Sequence, residues 1–364
     1  MSLASAFSPD YARARDRFRS SAEALGLAME HYPLGGRGPG GEELTLDVAR
    51  AGPATADRMV VVSSGLHGVE GFFGSAVQVA LLEQIDAEFS SPEGVAVLLL
   101  HAINPYGFAW LRRFNEEGVD LNRNFLLPGQ DYRGRPPIYR AVEGLINPRY
   151  PPGRPEFFRL RGFLATLRFG RHELKQAVAG GQYDFPKGLF FGGHAPAPAH
   201  CLLAEQLPGW IGPADRVLHI DFHTGLGTWG ELKLLIDDNL GSPRALRLAS
   251  WFGAEAVEST TPEGTAYHAR GDIGTWCRAR FADRQYDPVC AEIGTYSSAH
   301  VLTALRAENQ AHHWGQPDDP VTLRAKQQLL EAFTPADLDW RETVVARGLE
   351  IVRQGLTAIA HDCG

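Results

Sequence analysis

Lysine is scarce in this 364-residue chain: Lys175, Lys187, Lys233 and Lys326 are all there are, and arginine supplies the rest of the positive charge. There is no lysine-rich tail and no large basic cluster, and the formal charge is −8. Nothing in the chain could track a phosphate backbone, so no nucleic-acid partner is expected. Cysteine is equally sparse. Cys201, Cys277, Cys290 and Cys363 form neither a paired framework nor a C-x-x-C metal knuckle, so reduced, mostly buried thiols are expected. No apolar run approaches the roughly 18 residues that a membrane span needs. The start, MSLASAFSPDYARARDRFRSS, has no basic segment leading into an apolar one, as a secretory leader would. A cytoplasmic chain without a membrane partner is the resulting expectation. Internal repeats and low-complexity linkers are absent. So is a G-x-S-x-G elbow, which argues against a serine hydrolase even though SSGLHG looks superficially like such a turn.

What is present is a core. Hydrophobic residues make up 44% of the chain, enough for one large domain or two smaller ones. Residues 10–27 read as a helix, GGRGPGG (35–41) as a break, and ELTLDVAR (43–50) alternates as a strand does. Further strands are expected at 58–63, 94–100, 217–222, 231–236 and 289–293. Helices are expected at 71–88, around 156–178, and at 243–252, 298–312, 321–332 and 335–358. Several strands are apolar on both faces. That predicts an α/β fold: a mixed, largely parallel central sheet with helices on both faces. Residues 126–215 are rich in Pro, Gly and Arg and read as a long excursion from the sheet, of the kind that often walls a binding site.

Polar residues gather where apolar strands end: SGLHGVEG after 58–63, HAINPYG after 94–100, HTGLG after 217–222, and Glu292 in CAEIG. Open α/β sheets bind ligands at these carboxyl ends. His67 and Glu70 are three apart at a strand-to-helix junction, so both can aim at one point, and Gly65, Gly68 and Gly71 around them let the backbone turn. Imidazole plus carboxylate suits zinc, which in hydrolases takes three protein ligands and leaves one position open. Alone, the pair is also what an ordinary helix start carries, with Glu70 complementing the dipole. A third ligand is required. His223, directly after an apolar strand, is the best candidate; His219 lies within the strand and is expected to be buried, and His101 and His300 are weaker alternatives at other segment ends. Arg123 beside Asn122 and Asp120 has the planar fork that clamps carboxylates, and Glu292 is a carboxylate entering an apolar strand end.

Together, HGVE, NPYG…RF…GVDLNRNF, HTG, AYHARGDIGTW and AEIG occur in the order seen in zinc carboxypeptidases of the carboxypeptidase A type, over roughly residues 43–300. The sequence most resembles that superfamily's uncharacterised bacterial members and, more distantly, its succinylglutamate desuccinylase/aspartoacylase branch. The resemblance implies one domain over 1–364 and one zinc ion held by His67, Glu70 and His223. It implies that Glu292 is the general base and acid, and that Arg113 polarises the scissile carbonyl, with Arg112 a neighbour easily confused with it. Asn122 and Arg123 would hold the substrate's carboxylate, and Tyr267, with Trp276 following, would close over it. Two departures stand out. The excursion makes the stretch between Arg123 and His223 about twice the usual length, and Asp272, Ile273 and Gly274 compete for the side-chain pocket position.

The expected function is zinc-dependent amide hydrolysis, most simply carboxypeptidase action on a small peptide with a free carboxylate. The first alternative is removal of an acyl group from an N-acyl amino acid, and the second is a binding protein that has lost turnover on the same scaffold. Gln182, Tyr183 or Lys187 is expected to line the substrate side of the excursion, and helices 321–358 to pack on the sheet or on a second copy of the chain.

Overall fold

The computed structural model describes residues 2–84, 92, 94–153, 156–260 and 268–362. Among these, eight strands form a single sheet: β1 (Ala28–Arg37), β2 (Glu43–Ala51), β3 (Arg58–Ser63), β4 (Val95–His101), β5 (Arg216–Trp229), β6 (Leu232–Ile236), β7 (Val257–Ser259) and β8 (Gln285–Gly294). Their spatial order is β1-β2-β4-β3-β5-β8-β6-β7. The central four, β4-β3-β5-β8, run parallel. Antiparallel β2 and β1 extend one edge, and antiparallel β6 with parallel β7 extends the other. The sheet is mixed and mostly parallel.

The apolar runs explain why β3 and β4 sit in the middle. On β3, Val60 and Val62 face a layer formed with α2 (Gly71–Glu83), α8 (Pro243–Phe252) and α12 (Leu338–His361). Met59 and Val61 face the opposite layer, with α7 (Pro198–Ile211) and α9 (Ile273–Arg280). Alternating side chains on a strand buried from both sides must all be apolar. Full burial of each is worth roughly 1.5–3 kcal/mol before ordering entropy is subtracted. α12 presents Val344, Val345, Leu349, Val352 and Leu356 to the same layer as Val60 and Ile220, so it packs on the sheet of its own chain.

Several elements were not evident from the sequence. β1 is an edge strand with mostly exposed side chains, and its Pro33 is tolerated because an edge strand has one unpaired side. α4 (Pro137–Ile146) and α7 each begin with proline in the first helical turn, where its missing N–H costs nothing, and α7 also contains Pro208. Inside a Pro-rich excursion both looked like loop. The helix expected around 156–178 is two helices, α5 (Phe158–Phe169) and α6 (Arg171–Ala179), because Gly170 adopts φ 83° between them. Beyond Gln84, the end expected for α2 falls outside the described residues. Short α3 (Pro105–Ala109), α1 (Tyr11–Ala24), α10 (Ser298–Trp314) and α11 (Pro320–Phe333) complete the helices among those residues.

Candidate metal centre

After β3 the chain turns at Gly65 (φ 67°), and a single 3-10 turn, Gly68–Glu70, leads into α2. The three glycines do different jobs. Gly65 supplies the left-handed backbone conformation. Gly68 and Gly71 instead permit close approach: a Cβ on Gly68 would lie 2.1 Å from the Gly107 carbonyl carbon, and one on Gly71 would lie 2.7 Å from the Phe108 ring. The Gly68 and Val69 N–H groups donate to the carbonyls of Arg113 and Arg112, at 3.2 and 2.8 Å. The turn that carries His67 and Glu70 is thereby fastened to the segment that carries Arg113.

β5 supplies the other side. His219, Asp221 and His223 alternate along one face, and the sheet register sets Asp221 beside Ser63 and His223 beside Glu292. His67 Nδ1 lies 3.0 Å from Glu70 Oε1, and His223 Nδ1 lies 3.0 Å from Glu70 Oε2 and 3.2 Å from His67 Nδ1. One ligand atom from each of these buried residues thus fits within 4.8 Å of the others. The outer Nε2 atoms face carboxylates, His67 toward Asp120 at 3.1 Å and His223 toward Asp221 at 2.6 Å. For His223, an Nε2–H held by Asp221 leaves the Nδ1 lone pair pointing inward, which is how metal-binding imidazoles are oriented. Asp221 is held in turn by Ser63 Oγ, donating at 2.6 Å. Neither Asp120 nor Asp221 belongs to a ligand motif in the sequence. The signal for Asp221 was its place two residues before His223 on a strand, which puts both on one face.

Charge defines what this centre can accept. Arg113 donates to Glu70 at 2.9 Å and to Asp120 at 2.9 Å, and its Nη2 lies 2.7 Å from His67 Nε2. Three buried carboxylates, Glu70, Asp120 and Asp221, therefore meet one guanidinium around the two imidazoles, a surplus of two negative charges when both imidazoles are neutral, as metal ligands are. Burial works to raise the Glu70 carboxyl, but the charges and hydrogen bonds of His67 and His223 outweigh it and hold it below its ordinary value. Asp120 is likewise lowered against its burial, by Arg113 and His67. His223 is raised despite burial, by Cys290 first and then by Asp221 and Glu70. Two imidazoles and a carboxylate with a two-charge surplus are a donor set that fits one divalent ion, and zinc in particular.

Glu292 stands next to this set, with a carboxylate oxygen within 4.8 Å of ligand atoms of His223 and Cys290. The Leu226 N–H donates to its Oε1 at 2.8 Å. Burial, then the nearby Glu70 charge, raises its carboxyl to about 7. All of this opens on a cavity of about 840 Å³, lined by His67, Glu70, Arg113, Asn122, Arg123, His223 and Glu292 among others. Asn122 Oδ1 accepts from the Ile273 N–H at 3.1 Å. Arg123 is buried, and its fork donates to the carbonyls of Ala179 and Asn122. Asp272, Ile273 and Gly274 all line the cavity, and Asp272 also caps α9 by accepting from the Thr275 N–H. Tyr267 lies outside the described residues.

Other candidates are elsewhere. Arg112 is committed to Glu308 at 2.9 Å, His101 is stacked on Phe18 with Ser75 Oγ at 2.8 Å, and His300 is exposed against Tyr296. The expectation for Gln182, Tyr183 and Lys187 needs correction, since none of them lines the cavity. Gln182 accepts from the Asp184 and Phe185 N–H groups and so shapes its own loop, Tyr183 OH donates to the Arg123 carbonyl, and Lys187 lies over Trp314. The excursion meets the cavity instead through Thr166, Phe190 and α6 residues including Leu174, Lys175 and Val178.

Among solved structures the chain is similar to carboxypeptidase A from Helicoverpa armigera, with TM-score 0.57 and 14% identity over 97% of this chain and 74% of that one. A metallo-carboxypeptidase from Burkholderia cenocepacia matches at TM-score 0.47 and 11% identity, over 95% of this chain and 68% of that one. At such identity the first likeness shows the fold alone, which is similar to that of carboxypeptidase A. Comparison with curated proteins yields no significant match. A family model described as "Protein of unknown function (DUF2817)" matches residues 7–347, and the chain belongs to that family.

Proposed function

We propose that the protein is a zinc-dependent amide hydrolase, a metallocarboxypeptidase acting on a small peptide or peptide-like substrate with a free carboxylate. The observation that carries this reading is Glu292, a buried carboxyl with a raised pKa set directly beside a His-Glu-His donor set. Zinc in such a site supplies a Lewis acid and brings the pKa of a water it binds toward neutrality. Glu292 takes the proton of the attacking water and returns it to the leaving amine. A carboxyl poised near neutrality can do both. Arg113, tied down by Glu70 and Asp120, offers a fixed positive charge beside the reacting carbonyl. Arg123, braced by two backbone carbonyls, presents a rigid fork to the substrate's carboxylate, and Asn122 orders the adjoining loop.

The apolar part of the cavity lining, which includes Leu174, Val178, Phe190, Val301, Leu302 and Phe333, favours a second substrate class with the same chemistry. It suits an N-acyl amino acid whose acyl chain would lie there. Zinc-loaded protein assayed against short peptides and N-acyl amino acids separates the two. Glu292→Gln tests the chemistry itself: it should keep its zinc and lose on the order of 100- to 10,000-fold in turnover. Turnover at the wild-type rate would remove Glu292 from the reaction.

A further inference from the structure

Helix α5 carries its apolar residues on the wrong side. Phe158, Ala165 and Phe169 face inward: Phe158 lies under the Arg306 guanidinium, and the other two pack against the cluster containing Val178 and Leu305. At 100° per residue, Leu160, Phe163, Leu164 and Leu167 fall on the opposite pole, pointing straight away from the protein. They are 57%, 60%, 54% and 67% exposed, and Phe157 just before the helix is 75% exposed. Five of the eleven exposed large hydrophobic residues among those described sit on this one short segment. Scattered exposed leucines need no explanation, but a contiguous apolar pole does.

The charges are arranged around that pole. Arg159 flanks it on one side and Arg161 and Arg168 on the other, with Arg171 following, and all four are exposed. No Asp or Glu occurs from Phe157 to His172, in a chain whose formal charge is −8. A helix meant only for water would put its arginines on the outward pole. Here they form two rails beside an apolar strip, so guanidinium groups could meet phosphates while the strip enters an apolar layer.

We propose that α5 docks the protein on an anionic phospholipid surface, lying flat with Leu160, Phe163, Leu164 and Leu167 in the acyl boundary and the arginines on lipid phosphates. No helix among the described residues is long and apolar enough to cross a membrane, and none is needed for this mode. The expected absence of a membrane partner rested on the lack of a span, and a peripheral contact is a different thing. A second copy of the chain is the poorer occupant, because a closed pair uses the same patch twice and would set four arginines against four. Thr166 of α5 and Arg171, Leu174 and Lys175 of α6 line the cavity, so docking would hold the cavity wall beside lipid.

The test is vesicle cosedimentation of the full chain with phosphatidylcholine alone and with phosphatidylcholine mixed with phosphatidylglycerol. Wild type should bind the anionic vesicles, and high salt should weaken binding by about tenfold or more. The triple variant Leu160→Ser, Leu164→Ser, Leu167→Ser should bind on the order of 100-fold more weakly. Arg159→Gln with Arg161→Gln and Arg168→Gln should abolish the preference for anionic lipid. All these positions are exposed, and an unchanged circular dichroism spectrum and zinc content certify the variants as folded. Failure of the wild type to bind either vesicle overturns the proposal. So does binding that ignores lipid charge, or a dimer in sedimentation that the serine variant dissolves while vesicles are ignored.

Discussion

Replacing Gly68 by alanine should disrupt the centre without altering any ligand atom. The added methyl would lie 2.1 Å from the Gly107 carbonyl carbon and 2.3 Å from both Gly107 Cα and Phe108 N, where ordinary contact begins at 3.4 Å. Something must therefore move by more than 1 Å, the difference between the first and last of those distances. The obstacle is backbone, and it is held: Gly107 N–H donates to Asn104 Oδ1 at 2.9 Å, and Arg112 N–H donates to the Gly107 carbonyl at 2.7 Å. Overpacking against a fixed neighbour typically costs 1–3 kcal/mol, so about 3 kcal/mol is expected here. The greater consequence is positional, since a site loses function once its groups move by about 0.5 Å or more. Urea denaturation and zinc content by elemental analysis are the assays. Gly144→Ala is the control: it lies in α4 with nothing within 4 Å of the added methyl, and alanine there should stabilise by roughly 0.5–1 kcal/mol. Wild-type stability and full zinc content in Gly68→Ala would refute the close approach on which the geometry of the turn rests.

Asp221→Asn should weaken zinc affinity by about 10- to 100-fold, because it removes the charge behind His223 while keeping the side chain's shape; competition with a chelator measures this, and unchanged affinity would deny Asp221 its orienting role. Stability should also fall with pH for a reason centred on His101. Burial lowers its folded-state pKa to about 4, against 6.5 when exposed, so its contribution is complete above 6.5 and is lost as pH falls through about 4, the unfolded chain taking the proton first. Between pH 7 and pH 5 that is worth about 2 kcal/mol at most, and urea midpoints for His101→Gln should be correspondingly flatter over this interval; an identical slope in wild type and variant would show that His101 is not the cause.

The legible parts of the fold were those where one physical signal dominates. The bounds expected for β3 are those observed, because RMVVVS must be buried on both faces and Gly65 follows soon after. Helices with clean periodicity, α8 and α10 to α12, were placed within a few residues. What failed was reading proline as an interruption: Pro137 and Pro198 start helices, and Pro33 sits on an edge strand where its missing donor is not needed. β7 is three residues long and too short to leave a periodic trace. In the site, His67, Glu70, His223 and Glu292 were visible because strand ends announce themselves as polar breaks after apolar runs. Which loop residues line the cavity was not visible, because Gln182 and Tyr183 have the composition of a binding loop but spend their polar atoms on its internal scaffold. Arg113 lines the cavity and also bonds Glu70 and Asp120, a contact that only three-dimensional proximity reveals.

The energetics of the centre bear on why such residues are there at all. Six ionisable side chains, His67, Glu70, Arg113, Asp120, Asp221 and His223, are buried together on β5, on the turn after β3 and on the segment after α3. Desolvating that many charges costs several kcal/mol each, and well-packed apolar replacements of a buried ion cluster are often more stable than the cluster itself. Stability is therefore a poor explanation for the arrangement. A two-charge surplus aimed inward is costly only while nothing answers it, and a divalent ion would answer it. Protonated imidazoles could do so too, but they would turn N–H groups toward one another, with the two Nδ1 atoms 3.2 Å apart. The geometry that makes a protonated pair unfavourable is the geometry that makes a shared cation favourable.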